Sequence, residues 1–422
     1  MTTLFTNVEV EGRRCEVLLG PTSIEEVGER VSRSHVVEHI DGQGGALVPG
    51  LHDHHLHLLA MAAARLSVDC SDGMDALLSA PPGDWIRGVG AGVSMDRHDL
   101  DRIVADRPVR VQHRSGGLWM LNTRAIEAVR HALSGPGVER TGHGEPTGRL
   151  WRFDDQLRRA LPDNSSAIKT SLDDLILEMN ALGITSVTDA TPDLDPATIE
   201  LLRQLPLGVT LLGDPDSSAP GKIALHDHDL PDLGTLTRRI RIFHEEKRPV
   251  AVHCVTRESL FLTLAALEDA GRIPGDRIEH GAVIPREAIP TLRGLTVVTQ
   301  PGMLVARSAY YRADVDPADR DHLYPFASLI KSGITVWSSS DAPYGPLDPW
   351  AGLRAARDRD LGVDERVGTE VAFNSLLLDS YGRQRRIAVG QPPAVLLLST
   401  SLAHAMAEPD AAHVRLVRSM GR

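Results

Sequence analysis

The chain has 422 residues with 45 basic against 57 acidic, a formal net charge of −12, and room for two or three domains around a large core. No basic cluster stands out and no run approaches the ~18 apolar residues of a membrane span, which argues against nucleic acid or a membrane as partner. The first ten residues lack a secretory pattern and the three cysteines, at 15, 70 and 254, are widely spaced, so the expectation is a cytoplasmic protein with a small-molecule partner, homo-oligomerisation being left open.

Residues 1 to about 48 alternate in short β patterns (Val8, Val10; Cys15, Val17, Leu19; Val36, Val37) with turn residues near Asp41–Gly45. Next comes Pro49-Gly-Leu-His-Asp-His-His-Leu-His-Leu58, an apolar approach that reads as a strand ending at a loop. Side chains two apart on a strand share a face, which groups Asp53, His55 and His57 against His52 and His54. Two imidazoles aimed at one point make half of a metal site, zinc being a favoured ion. Hydrogen-bonded surface histidines fit that pair equally well.

Residues from about 66 to 165 are too many for one strand-to-strand link. They carry Trp85–Gly90, Val109–His113 and a predicted helix near Asn122–Ala132, and are expected to form a lid-like insertion, loops of that length commonly shaping a substrate pocket. His113, Trp119, Asn122 and Trp151 are its candidate substrate-binding residues, with packing of the insertion's own core as the alternative. A helix is predicted over about 167–182, from Ile168, Leu172, Leu175, Ile176, Met179 and Leu182, closed by Gly183.

Strand-type segments then recur: Gly183–Asp189, Leu207–Leu212, the segment opened by Lys222, and those ending at His253 and His280. Leu295–Gln300 and the run ending at Asp341 complete the series. The intervals are 31 residues from 222 to 253, 27 from 253 to 280 and 61 from 280 to 341, one or two strand–helix units of about 30 residues each. With the segment at 46–51 this makes eight strands, the pattern of a (β/α)8 TIM barrel, whose chemistry lies at the carboxyl ends of the strands. The last stretch, Arg386–Gly390, Ala394–Leu398 and His413–Val417, resembles the first. Residues 1–48 with 385–422 are therefore expected to pair into a small β-sandwich beside a barrel over 49–384.

Pro-Gly-x-x-Asp-x-His-x-His-Leu, a strand lysine, two later strand-end histidines and Ser340-Asp-Ala-Pro343 together resemble the amidohydrolase superfamily. Arg277-Ile-Glu-His280 and Gln300-Pro301 make the chain similar to the amidohydrolase-3 branch, which includes N-substituted formamide deformylases. The likeness runs along the whole chain. It implies that His55 and His57 bind a buried metal with Asp341, that Asp341 also exchanges protons, and that His253 and His280 hold a second metal. Lys222 matches the lysine that becomes a carbamate bridging two divalent ions, with zinc the favoured metal. A lysine desolvated in a barrel offers the neutral amine that carboxylation needs; the alternative is an ammonium reaching solvent or paired with Asp227 or Asp229.

The implied activity is a metal-dependent hydrolase that cleaves a non-peptide C–N bond of an amide, formamide or cyclic imide by metal-activated hydroxide. One alternative is a mononuclear deaminase of the same superfamily. Those enzymes keep a glutamate to protonate the ring, whereas Glu279 faces away by strand parity and Glu258 is the nearest carboxylate after His253. A second is a catalytically silent binding barrel. Cys254 reads as a buried inert thiol, facing away from His253. His226, in His226-Asp-His-Asp229, is a further candidate substrate contact because it shares parity with Lys222 if the strand continues that far.

Overall fold

The computed structural model describes residues 2–162 and 165–419. Residues 163–164, inside the predicted insertion, and 420–422, inside the predicted sandwich, lie outside the described residues. The chain divides into two compact units, Met1–Leu58 with Ile176–Arg422, and Leu59–Leu175. Among the described residues no helix is long and apolar enough to cross a membrane.

The first unit holds eight parallel strands: β1 (Leu51–Leu56), β2 (Ile184–Asp189), β3 (Gly208–Leu211), β4 (Gly221–Ile223), β5 (Val250–Cys254), β6 (Arg277–His280), β7 (Thr296–Thr299) and β8 (Thr335–Ser338). Seven fall at predicted places; the first does not, since the predicted segment at 46–51 supplies Leu47–Pro49 to the sheet of Val395–Leu398 and β1 follows it. The near-continuous apolar, buried character of Val250-Ala251-Val252 suits a parallel strand covered on both faces. Between β5 and β6 runs the helix Arg257–Ala270, capped by Thr256 and ended by Gly271 at φ 81°, a conformation glycine adopts without strain.

The strands do not form one closed barrel. They form two arcs, β3-β2-β1 and β4-β5-β6-β7-β8, and the sequence-based expectation is corrected there. At the seams, Lys222 N donates to Leu212 O at 3.2 Å and Asp341 N to His55 O at 2.8 Å. The physical causes are local. β4 has three residues and follows Pro220, which has no N–H to extend a ladder. Asp341, just past β8, has φ 54° and turns the chain out of strand geometry.

Both chain ends contribute to one apolar cluster. Thr3–Val10 lies between Arg13–Leu19 and Glu38–Asp41, and Val395–Leu398 lies between Leu47–Pro49 and Val414–Arg418. Phe5, Val8, Val17, Ile24, Leu47, Val395 and Leu397 pack together between the sheets, each worth about 1.5–3 kcal/mol in removal from water.

The second unit is built on a six-stranded sheet. Its strand Leu118–Leu121 is buried on both faces. Leu118 and Met120 pack with Leu77, Leu100 and Val111, while Trp119 and Leu121 pack with Ile126, Leu150 and Phe153. The two-residue period of a strand thus divides one run between two cores. The predicted helices are present as Thr123–Val129 and, crossing into the first unit, Ser165–Ala181.

Candidate metal centre

The first ligand-type side chains leave β1 where its pairing with β2 shifts register, between Val187 and Asp189. Asp53 is buried at the same strand end. Its Oδ1 accepts from His55 N at 3.1 Å and Ser340 N at 3.2 Å, which ties β1 to the end of β8. Burial raises the Asp53 carboxyl to about 6, against the hydrogen bonds from Ser340 and His55. His52 bonds Ser186 Oγ and Thr188 Oγ1, and His54 bonds Ser375 O. These two are buried structural histidines.

His55 is fully buried. Its Nδ1 bonds Glu279 Oε2, and its Nε2 has no hydrogen-bond partner among the described residues, lying 3.7 Å from Asp341 Oδ1. His57 is held through Nδ1 by Thr191 Oγ1 at 3.1 Å, leaving Nε2 3.5 Å from the same Asp341 oxygen. One ligand atom each from His55, His57 and Asp341 lie within 4.8 Å of one another.

His280 closes β6 at φ 69°. Its Nδ1 is 3.1 Å from Gln300 Oε1 and 3.7 Å from Asp341 Oδ2, and its ring centroid lies 4.6 Å from His55 and 4.4 Å from His253. Gln300 is itself fixed by donation to Ser339 Oγ at 2.9 Å. Lys222 is buried and its Nζ has no hydrogen-bond partner among the described residues, so the alternative pairing with Asp227 or Asp229 is not found; Asp227 instead bonds Thr256 Oγ1.

The electrostatics favour neutral donors. Burial holds the imidazoles of His55 and His280 well below their ordinary range and, with Lys222 next in effect, brings His253 down to about 3. Burial also lowers the Lys222 amine, against the pull of Glu279 and Asp341. Metals bind neutral imidazole and carboxylate, and desolvation is the cause that produces such shifts. Three of the buried atoms that lack a hydrogen-bond partner among the described residues gather here, His55 Nε2, Lys222 Nζ and Asp341 Oδ1, and would be costly if nothing ever joined them. The donor set fits divalent metal.

Several expectations for neighbouring residues change. Glu279 does not face away: it meets His55, because the left-handed φ of His280 breaks the alternation on which that reading rested. His226 is exposed on the loop after β4, which ends at Ile223, so its predicted parity with Lys222 does not hold. Cys254 turns its thiol to Thr263 Oγ1, 3.3 Å away, and is pushed up to about 12 by burial. Strand reasoning missed Glu279, Thr191 and Gln300 as supports of the imidazoles. Tyr344 was also missed; its ring stands edge-on to His57 at 5.7 Å.

In the second unit, Asn122 is buried, caps Thr123–Val129 through Ala125 N, and also bonds Val109 N, Val104 O and Arg107 O. Its hydrogen-bonding capacity is used up by the fold, which corrects its assignment to a pocket. Trp119 likewise packs in the core, its Nε1 donating to Asp154 at 2.8 Å and the Arg110 guanidinium 5.3 Å from its ring centre. His113 bonds Ser115 Oγ at 2.9 Å in a turn, and Trp151 is half exposed with Nε1 3.4 Å from Glu139.

The profile of the Amidohydrolase family matches residues 38–377. The protein YtcJ of Bacillus subtilis (strain 168), named provisionally as an amidohydrolase, is 24% identical over 440 residues, covering 84% of this chain and 82% of its own. N-substituted formamide deformylase of Arthrobacter pascens is 30% identical over 183 residues, 36% of this chain and 34% of that one. A crystal structure of an uncharacterized metal-dependent hydrolase from Pyrococcus furiosus shares the fold with a TM-score of 0.72 and 18% identity, over 98% of this chain and 100% of that one. A family match across most of the chain means that this protein belongs to the amidohydrolase family, in its amidohydrolase-3 branch.

Proposed function

We propose that this chain is a metal-dependent hydrolase that cleaves a non-peptide carbon–nitrogen bond in a small amide, formamide or cyclic imide. The observation that carries the reading is the set of three buried atoms without hydrogen-bond partners, His55 Nε2, Lys222 Nζ and Asp341 Oδ1, beside His57, His253 and His280. In this reading His55, His57 and Asp341 would hold one divalent ion, and His253 and His280 would hold a second. Zinc suits such a nitrogen-rich set. A neutral Lys222 amine could add to carbon dioxide, losing a proton as the N–C bond forms, and as a carbamate it would supply anionic oxygen donors to the metal site. A reducing cytoplasm is the setting this reading assumes; the three cysteines are free thiols.

The bound ions supply polarisation of the substrate carbonyl and acidification of water. Asp341, with Oδ1 facing His55 and His57, would accept the proton of the attacking water on its carboxylate and return it to the leaving nitrogen as the C–N bond breaks, giving a carboxylic acid and an amine, or a ring-opened amide acid from a cyclic imide. His55 and His57, held through Nδ1 by Glu279 and Thr191, keep their Nε2 atoms fixed beside that oxygen. Tyr344, edge-on to His57, offers an apolar wall to substrate. Glu279 does not support the deaminase alternative, since both of its oxygens are engaged, by His55 and Arg277.

The test is a substrate screen of the zinc-loaded protein against N-formyl amines, N-acyl amines, hydantoins and aminopurines. Release of amine or ring-opened acid is expected. Ammonia released from aminopurines alone would favour the deaminase, and no turnover on any class by a fully metallated protein would contradict the proposal.

A further inference from the structure

Glu279 is fully buried and both of its oxygens are engaged: Oε2 meets His55 Nδ1, and Oε1 accepts from Arg277 Nε at 2.5 Å. Arg277 is itself 1% exposed, and its Nη1 and Nη2 make no hydrogen bond among the described residues. Adjacent residues of a regular strand point to opposite sides, so Glu279 and His280 should not both reach the surroundings of His55. They do, because His280 adopts φ 69°; the His280 ring lies 4.6 Å from that of His55. A bulky residue in this conformation is uncommon, and here it coincides with the placement of a carboxylate against a ligand-type histidine.

The arrangement has a chemical consequence. A neutral imidazole carries its hydrogen on one nitrogen only, and an ionised carboxylate can only accept. With Glu279 on Nδ1, the hydrogen must sit on Nδ1, and Nε2 is left as a bare lone pair. Nε2 is the buried atom without a partner, the one that faces Asp341. Arg277 supplies the positive charge that a buried carboxylate requires, and its Nε–H occupies Oε1 so that Oε2 is left to His55.

We propose that Glu279, backed by Arg277, is a positioning residue that fixes His55 in the Nδ1–H tautomer and thereby presents Nε2 as a ready metal ligand. The inference rests on the metal reading given above. Glu279→Gln is its sharpest test. Arg277 Nε–H demands the amide oxygen, which turns the amide NH2 toward His55 Nδ1, reverses the tautomer and places a hydrogen on Nε2.

The experiment uses the full chain, stripped of metal. Ring-nitrogen NMR shifts of histidine-labelled protein report the His55 tautomer without metal, and competition with a chromophoric chelator reports affinity for zinc and cobalt(II). Wild type should carry the hydrogen on Nδ1, and Glu279→Gln should carry it on Nε2. Zinc and cobalt affinity should fall about 10–100-fold in Glu279→Gln, the usual scale for removing a partner of a metal-binding histidine, with partial recovery in Glu279→Asp. Should the single variant fail to fold, Arg277→Met with Glu279→Met removes both charges together and leaves neither unpaired; the same loss of affinity is expected. Folded variants that bind zinc as the wild type does, or Glu279→Gln with the hydrogen still on Nδ1, would overturn the inference and leave the metal reading standing. A wild type that binds no metal while showing Nδ1–H would overturn the metal reading and, with it, the ligand-presenting role.

Discussion

Asp341 carries two duties in this account, and a single substitution separates them. Asparagine keeps the shape and one oxygen ligand but cannot take a proton at neutral pH. Asp341→Asn is expected to fold and to retain much of its metal, while turnover falls by about 10²–10⁴-fold, the scale of a lost general acid–base group. Substrate affinity should change far less. Steady-state kinetics beside metal analysis checks this, and near-native turnover at full occupancy would refute the role. Lys222→Arg should lose metal and activity, because a guanidinium stays charged and does not take up carbon dioxide; full activity would make the lysine structural. Cys254 gives a control on burial. With its thiol pushed up to about 12, roughly one part in ten thousand is thiolate at pH 8, so mass spectrometry should find it unmodified by iodoacetamide in the folded protein. Rapid labelling there would contradict its packing against Thr263.

At the level of elements, the ends of strands β1, β6 and β8 do the most to build the site, and they are also where strand rules stop applying. The buried thiol of Cys254 was readable from parity because β5 is regular. The inward turn of Glu279 was not readable, since it depends on the positive φ of His280, and no pattern in Arg277-Ile-Glu-His280 distinguishes that residue from one in ordinary extended geometry. The bond of Asp53 to Ser340 N was likewise not readable, since it joins residues 287 apart in sequence. Asn122 was misread for a related reason: a polar residue between a strand and a helix is as consistent with a pocket as with a cap. As a cap with four hydrogen bonds, Asn122→Ala should destabilise the protein by about 3 kcal/mol or more, from the lost cap and the buried backbone groups left unpaired. His113→Ala, in a partly exposed turn, should stay within about 0.5 kcal/mol. Urea unfolding of the two variants tests the contrast, and a neutral Asn122→Ala with weakened substrate binding would restore the pocket assignment.

Across the whole molecule, the order of the later parallel strands was legible because their spacing is set by the strand–helix unit, whereas the first was placed a few residues early. The opening of the ladder at both seams was not legible, since it depends on the brevity of β4 and on the left-handed turn at Asp341. What the separate strands share is the set of buried donors they bring to one place. The protein's central claim to function is therefore a metal count. Purified protein, stripped and then loaded with zinc in the presence of bicarbonate, should contain about two zinc ions per chain by elemental analysis. A ratio near zero under every loading condition would contradict the account.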